Sequence, residues 1–254
     1  MFPLHDENPT SSTPIATYTI IGLNITAWAG LQGLGLNPML AESICAFGLV
    51  PGEFLGKLAP GVEIYLGENM ACVADSGAAW ITPITSMFMH GSWLHLIINM
   101  WFLMIFGDNV EDVMGVGRFF AFYLFCGLGA GGLQMLTNPT SAIPLIGASG
   151  AIGGIMGAYA LLFPQAPVHM LIFLGFFITR IVIPAYLMLG YWFLLQLLSA
   201  LPAVEQETGG TAFWAHVGGF IAGLLLVHIF CSADRLEVCR EKKKKVKRLF
   251  GKVP

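Results

Sequence analysis

The sequence predicts an all-α, polytopic membrane protein: six transmembrane helices, with a long membrane-associated loop between the first and the second. Three observations carry this prediction. Charged residues make up only 11% of the 254 and hydrophobic ones 56%, whereas an ordinary soluble domain carries about 25% charged residues. So few charges cannot clothe a surface in water, and most of it must face lipid. Apolar runs close to the roughly 20 residues that cross a core of about 30 Å recur along the chain. The 31 glycines fit the same reading, since membrane helices tolerate glycine and use it to bring backbones together.

Taken in order, residues 1–14 are polar and carry Asp6 and Glu7 rather than the basic start of a cleaved signal. They read as a cytoplasmic tail, with the first apolar segment retained in the membrane. The membrane domain covers 15–231, with spans at 15–36, 93–107, 118–136, 149–163, 181–200 and 211–230. The fourth is short. The stretch 170–200 is too long for one upright helix, so its first part, up to Arg180, reads as interfacial or re-entrant. Residues 232–254 form a basic cytoplasmic tail.

Orientation follows from the basic residues, which collect on the cytoplasmic side. With both termini inside, 11 of the 12 Lys and Arg are cytoplasmic, and only Lys57, in the 37–89 loop, lies outside. The expected location is a bacterial inner membrane. The run Lys242–Arg248 suits anionic lipid, at about 1 kcal/mol per basic residue near the surface. A net charge of −3 and the lack of interleaved aromatics argue against nucleic acid. The five cysteines show no C-x-x-C pattern. Cys45 and Cys72 share the long loop, either as free thiols or as a disulfide if that loop faces an oxidising compartment.

Polar residues at membrane depth are costly and mark function. Three groups stand out: Gly147-Ala148-Ser149-Gly150 at the head of span four, His216 near the head of span six, and His90, His95 and Asn99 around the head of span two. All three spans enter from the outside, so these groups share one depth. A serine becomes a nucleophile with a base about 2.6–3.2 Å away. Two short side chains on separate helices can meet only if the backbones approach closely, and the residues beneath them are small: Gly150, Gly153, Gly154 and Gly157 on one helix, Gly218, Gly219, Ala222 and Gly223 on the other. Gly153/Gly157 and Gly219/Gly223 have G-x-x-x-G spacing. His95 and Asn99, four apart on one helix face, with the Ser149 N–H, could hold an oxyanion. Asn99 could instead bond between helices, and His90 could brace the loop or join the site. No acid lies near His216 in the membrane, so a Ser–His dyad with a neutral imidazole is expected. His5, His169 and His228 receive no chemistry. There is no H-E-x-x-H, and the G-x-S-x-G elbow is incomplete; neither a metal nor a cofactor is expected.

In order, spacing and topology, His90-Gly91-Ser92-Trp93-Leu94-His95 with Asn99, Gly147-Ala148-Ser149-Gly150, and Ala215-His216-Val217-Gly218-Gly219 resemble the rhomboid family of intramembrane serine proteases, over roughly residues 15–231. Gly107 through Glu111 and Gly117-Arg118 extend the likeness. Each motif alone is weak; the ordered set is specific. The resemblance implies Ser149 as nucleophile, His216 as general base, His95 and Asn99 at the oxyanion, and support from His90, Gly147 and Gly150. It further implies a six-helix bundle whose first loop dips into the membrane and whose fifth span, with the loop above it, gates the site. The partners implied are single-span membrane substrates and the bilayer. A catalytically silent relative that binds membrane clients is the alternative. Two departures are visible. Trp80 is followed by Ile81-Thr82 where Trp-Arg is usual, and Gly153 stands where some relatives place a tyrosine against the histidine; Trp214 and Phe220 are candidate substitutes for that ring.

Overall fold

The computed structural model describes residues 2–59, 61–67, 70–73, 79–174, 177–203 and 212–231, with Asp234 and Glu237. The basic run Lys242–Arg248, Cys239 and the 204–211 stretch lie outside the described residues, as do parts of the 61–77 loop. Helices dominate: α1 (Ile15–Gly30), α2 (Met39–Phe47), α3 (Pro51–Phe54), α4 (Thr82–Thr85), α5 (Trp93–Met114), α6 (Val116–Thr137), α7 (Ser149–Leu162), α8 (Ala185–Ala203) and α9 (Phe213–Phe230). Among them α5, α6 and α9 are long and apolar enough to cross a bilayer, while α7 and α8 are shorter apolar helices.

The chain is not all-α. Strand β1 (Phe2–Asp6) opens it; β2 (Glu63–Gly67) and β3 (Met70–Val73) form a ribbon in the first loop; β4 (Pro167–Leu174) and β5 (Phe177–Pro184) precede α8. Antiparallel pairing in the order β1-β4-β5 sets Phe2 opposite Leu171, and Leu171 opposite Arg180. The stretch up to Arg180, read above as interfacial or re-entrant, lies in the paired strands β4 and β5, because its β-branched and aromatic residues favour a pleated strand. The fifth helix accordingly starts after Pro184, not at 181.

The N-terminal segment is likewise no free tail. The Trp101 indole N–H donates to the Pro3 carbonyl at 2.8 Å, and Phe2 packs on the Trp101 and Phe102 rings. Asn8 donates to the Tyr159 hydroxyl, which itself donates to Asp6. Just before α1, Ser11 and Ser12 donate to Asp112, and the first turn of α1 is capped from outside: the N–H groups of Ala16 and Thr17 and the Thr17 hydroxyl all donate to Glu111 at 2.8 Å. A helix start has orphan N–H groups and a positive dipole end, and a buried carboxylate answers both. These partners explain why α5 runs on past Gly107 to Met114: its inner acids are used. At its far end α1 stops at Gly30, short of 36, and the turn beyond presents Gln32 to the backbone of His90 through paired bonds of 2.7 and 2.8 Å.

At the centre sits α7, buried from Gly150 to Tyr159. It packs between α6 and α9 because side chains are missing there. A Cβ at Gly219 would overlap the Gly150 carbonyl, and one at Gly223 the Gly154 carbonyl. The G-x-x-x-G pair of α9 therefore meets Gly150/Gly154 of α7, itself a G-x-x-x-G pair and three residues before Gly153/Gly157, although Gly157 also abuts the Phe220 carbonyl. The first loop leans on the segment that leads into α7: Leu49 and Leu145 exchange backbone bonds, and the Gly147 N–H donates to the Ser86 carbonyl at 2.9 Å. Within that loop Cys45 and Cys72 are joined as a disulfide, which settles the alternative left open above.

Candidate active site

Ser149 is the first residue of α7, so its backbone N–H has no acceptor within the helix. His216 lies one turn into α9. The close α7–α9 crossing sets the His216 Nε2 atom 2.8 Å from the Ser149 Oγ atom, within reach for proton transfer. Both side chains are half-buried.

On the other side of the serine, α5 supplies His95 and Asn99. Ser92 caps this helix by accepting the His95 N–H at 3.1 Å, which fixes where its first turn begins. Gly147, two residues before Ser149, has φ +119°, and a Cβ there would lie 2.7 Å from His95 Nε2 and 3.6 Å from Asn99 Nδ2. The missing side chain thus brings the Gly147 backbone against both groups. Asn99 is 5% exposed and its Nδ2 has no hydrogen-bond partner. A buried amide donor left unpaired costs about 1–3 kcal/mol. Gly150 is needed for packing: its Cβ would stand 2.6 Å from the Ala130 Cβ on α6.

His90 is fully buried just before α5, its ring edge-on to His95 at 5.0 Å. Burial, with His95 adding to it, pushes its pKa down from 6.5 to about 3, so it is neutral at physiological pH. The structure places its ring against that of His95.

Sequence reasoning missed two residues, both on α8. The His216 Nδ1 atom lies 2.8 Å from the Gln196 Oε1 atom. The Trp192 ring lies over the imidazole at 5.8 Å, tilted by 36°, with Phe213 edge-on at 6.5 Å. These, not Trp214 or Phe220, are the aromatic neighbours of the imidazole. The absence of an acid near His216 was the available signal, since a ring nitrogen without a carboxylate needs another acceptor. Among the described residues, no group of three or more His, Cys, Asp or Glu side chains could hold a metal ion.

Comparison with known proteins identifies the family. Residues 77–233 match the Rhomboid domain family model. The chain is 26% identical to Rhomboid protein 1, mitochondrial, of Saccharomyces cerevisiae, over 88% of this chain and 66% of that protein. It is 42% identical to the Arabidopsis thaliana Rhomboid-like protein 11, chloroplastic, over 30% of this chain and 27% of that one. With the Bacillus subtilis Rhomboid protease GluP it shares 30% identity over 83% of this chain and 34% of GluP. The chain thus spans about two-thirds or less of the length of these relatives. A matched family model over more than half the chain, on apolar helices that can cross a bilayer, makes this an integral membrane protein that belongs to the rhomboid family.

Proposed function

We propose that this protein is an intramembrane serine endopeptidase that hydrolyses peptide bonds of single-span membrane proteins near the outer face of the bilayer. One observation carries the reading: a serine hydroxyl and an imidazole 2.8 Å apart, on two helices that glycines allow to touch. The Ser149 Oγ attacks the scissile carbonyl carbon while His216 Nε2 takes its proton. The new oxyanion accepts from Asn99 Nδ2, His95 and the Ser149 N–H. Collapse breaks the C–N bond, His216 returns the proton to the leaving amine, and the acyl-enzyme remains on Ser149. Water, deprotonated by His216, then releases the acid and restores the serine.

In this reading α1, α5, α6, α7, α8 and α9 are the six spans of a catalytic unit over 15–231, both termini face the cytoplasm, and residues 232–254 are a cytoplasmic tail. The Lys and Arg distribution supports it, and so does the Cys45–Cys72 disulfide, which suits a first loop in an oxidising compartment. The 14 residues of α7 cover about 21 Å, against a core of about 30 Å. With its inner end at the interface, α7 would begin some 9 Å below the outer surface, so a substrate helix would have to unwind to deliver its backbone there.

The test is cleavage of a transmembrane reporter in proteoliposomes together with fluorophosphonate labelling. Ser149→Ala and His216→Ala each abolish both. Undiminished cleavage by either variant refutes the dyad, and a wild type that neither labels nor cleaves favours a client-binding role.

A further inference from the structure

The third group on His216 has no counterpart among the motifs that identify the family in this chain. A histidine works as a base through Nε2 only if its proton sits on Nδ1, and the partner of Nδ1 decides which tautomer is held. Here that partner is Gln196 Oε1 at 2.8 Å. The amide orientation follows from its other end: Gln196 Nε2 donates to the Trp192 carbonyl at 3.4 Å, whereas a flipped amide would set two carbonyl oxygens against each other. An accepting oxygen at Nδ1 requires the Nδ1–H tautomer, which leaves Nε2 as the acceptor for the Ser149 hydroxyl. Trp192, four residues from Gln196 and therefore on the same face of α8, covers the imidazole and reaches the room above Gly153, where a Cβ would find its Cη2 at 3.6 Å. Among the described residues, His95 on α5 is a further titratable side chain acting on His216.

We infer that Gln196 is a positioning residue for the proposed base: it fixes the tautomer and ring orientation of His216 from α8, with Trp192 as the backing surface. The inference rests on the Ser149–His216 reading. It makes the dyad depend on where α8 sits, because both orienting groups come from that helix and none from α7. Outward displacement of α8 would withdraw the acceptor and the backing ring together.

The experiment compares Gln196→Leu and Gln196→Glu in the full-length protein, measuring kcat and KM for the reporter, the rate of fluorophosphonate labelling, and the 15N NMR signature of His216. A packing role predicts that leucine is tolerated and that glutamate, a carboxylate in an apolar setting, is harmful. A positioning role predicts the reverse order. Gln196→Leu lowers kcat and the labelling rate about 10–100-fold with KM unchanged, and His216 becomes a mixture of tautomers. Gln196→Glu, which keeps an acceptor at Nδ1, stays within about threefold of wild type. Thermal unfolding of both variants confirms that each is folded, and the NMR tautomer ratio remains informative where rates change for other reasons. A Gln196→Leu protein with wild-type kcat, labelling rate and Nδ1–H tautomer overturns the inference while leaving an inactive Ser149→Ala, and with it the dyad, intact. An active Ser149→Ala removes the dyad itself.

Discussion

Alanine in place of Gly147 probes how the segment before the serine is held against His95 and Asn99, the proposed oxyanion donors. The perturbation has two parts. At φ +119° an L-residue is strained, which costs about 1–3 kcal/mol. The new Cβ would also sit 2.7 Å from His95 Nε2 and 2.9 Å from Cε1, where ordinary contact begins at 3.4 Å. The imidazole or the Gly147 backbone must therefore withdraw by roughly 0.7 Å, the difference between 3.4 and 2.7 Å. Displacements near 1 Å in a reacting geometry cost about 100-fold, so kcat should fall about 10–100-fold, with a stability loss of about 1–3 kcal/mol. The assay is steady-state cleavage of a fluorogenic transmembrane peptide in proteoliposomes, paired with thermal unfolding. Gly22→Ala is the control: it lies within α1, nothing is within 4 Å of its Cβ position, and alanine there should be neutral or slightly stabilising. A Gly147→Ala enzyme with the kcat and stability of wild type would refute the argument.

In the proposed mechanism Asn99→Ala removes a donor that meets an acceptor only as charge develops, so kcat should drop about 100–1,000-fold with KM nearly constant; equal changes in both parameters would mean that Asn99 binds substrate instead. Glu111→Ala strips the acceptor from Ala16 N–H, Thr17 N–H and the Thr17 hydroxyl. At about 1–3 kcal/mol per orphaned donor, it should destabilise the fold by at least about 3 kcal/mol, read as a fall in Tm. Burial lowers the pKa of His90 in the folded protein to about 3, below the ordinary 6.5. The stability held by its neutral form is complete above about pH 6.5 and is lost as pH falls toward 3, at up to about 1.4 kcal/mol per pH unit. Comparing the Tm of wild type and His90→Gln from pH 7 to pH 4 should show a shallower slope in the variant, and parallel slopes would contradict the burial argument.

The geometry behind the proposed site is legible in the sequence because each requirement leaves a residue type behind. Two short reactive side chains on different helices need small residues beneath them, and Gly219 and Gly223 supply them. A donor pair on one helix face needs a spacing of four, and His95 and Asn99 have it. The sheet is less legible. Residues 170–178 are apolar throughout, and a continuous apolar run does not distinguish a strand from a buried helix; the pairing of Phe2 with Leu171 joins segments far apart in the chain. Gln196 was invisible for a different reason. A single amide in an apolar helix is ordinary, and only the fold reveals that it points at the imidazole.

The clasp on the start of α1 has a consequence for biogenesis. Ala16 and Thr17 find their acceptor 95 and 94 positions later, in Glu111. At about 5–20 residues per second on the ribosome, that gap leaves the nascent first helix waiting roughly 5–20 s. Through that interval its N–H groups can bond only to water or lipid headgroups, and the sheet that receives residues 2–6 is later still. The end of the protein that carries β1 is therefore closed last, by the oldest part of the chain, and a bulky fusion placed ahead of Phe2 would hinder assembly at that final step.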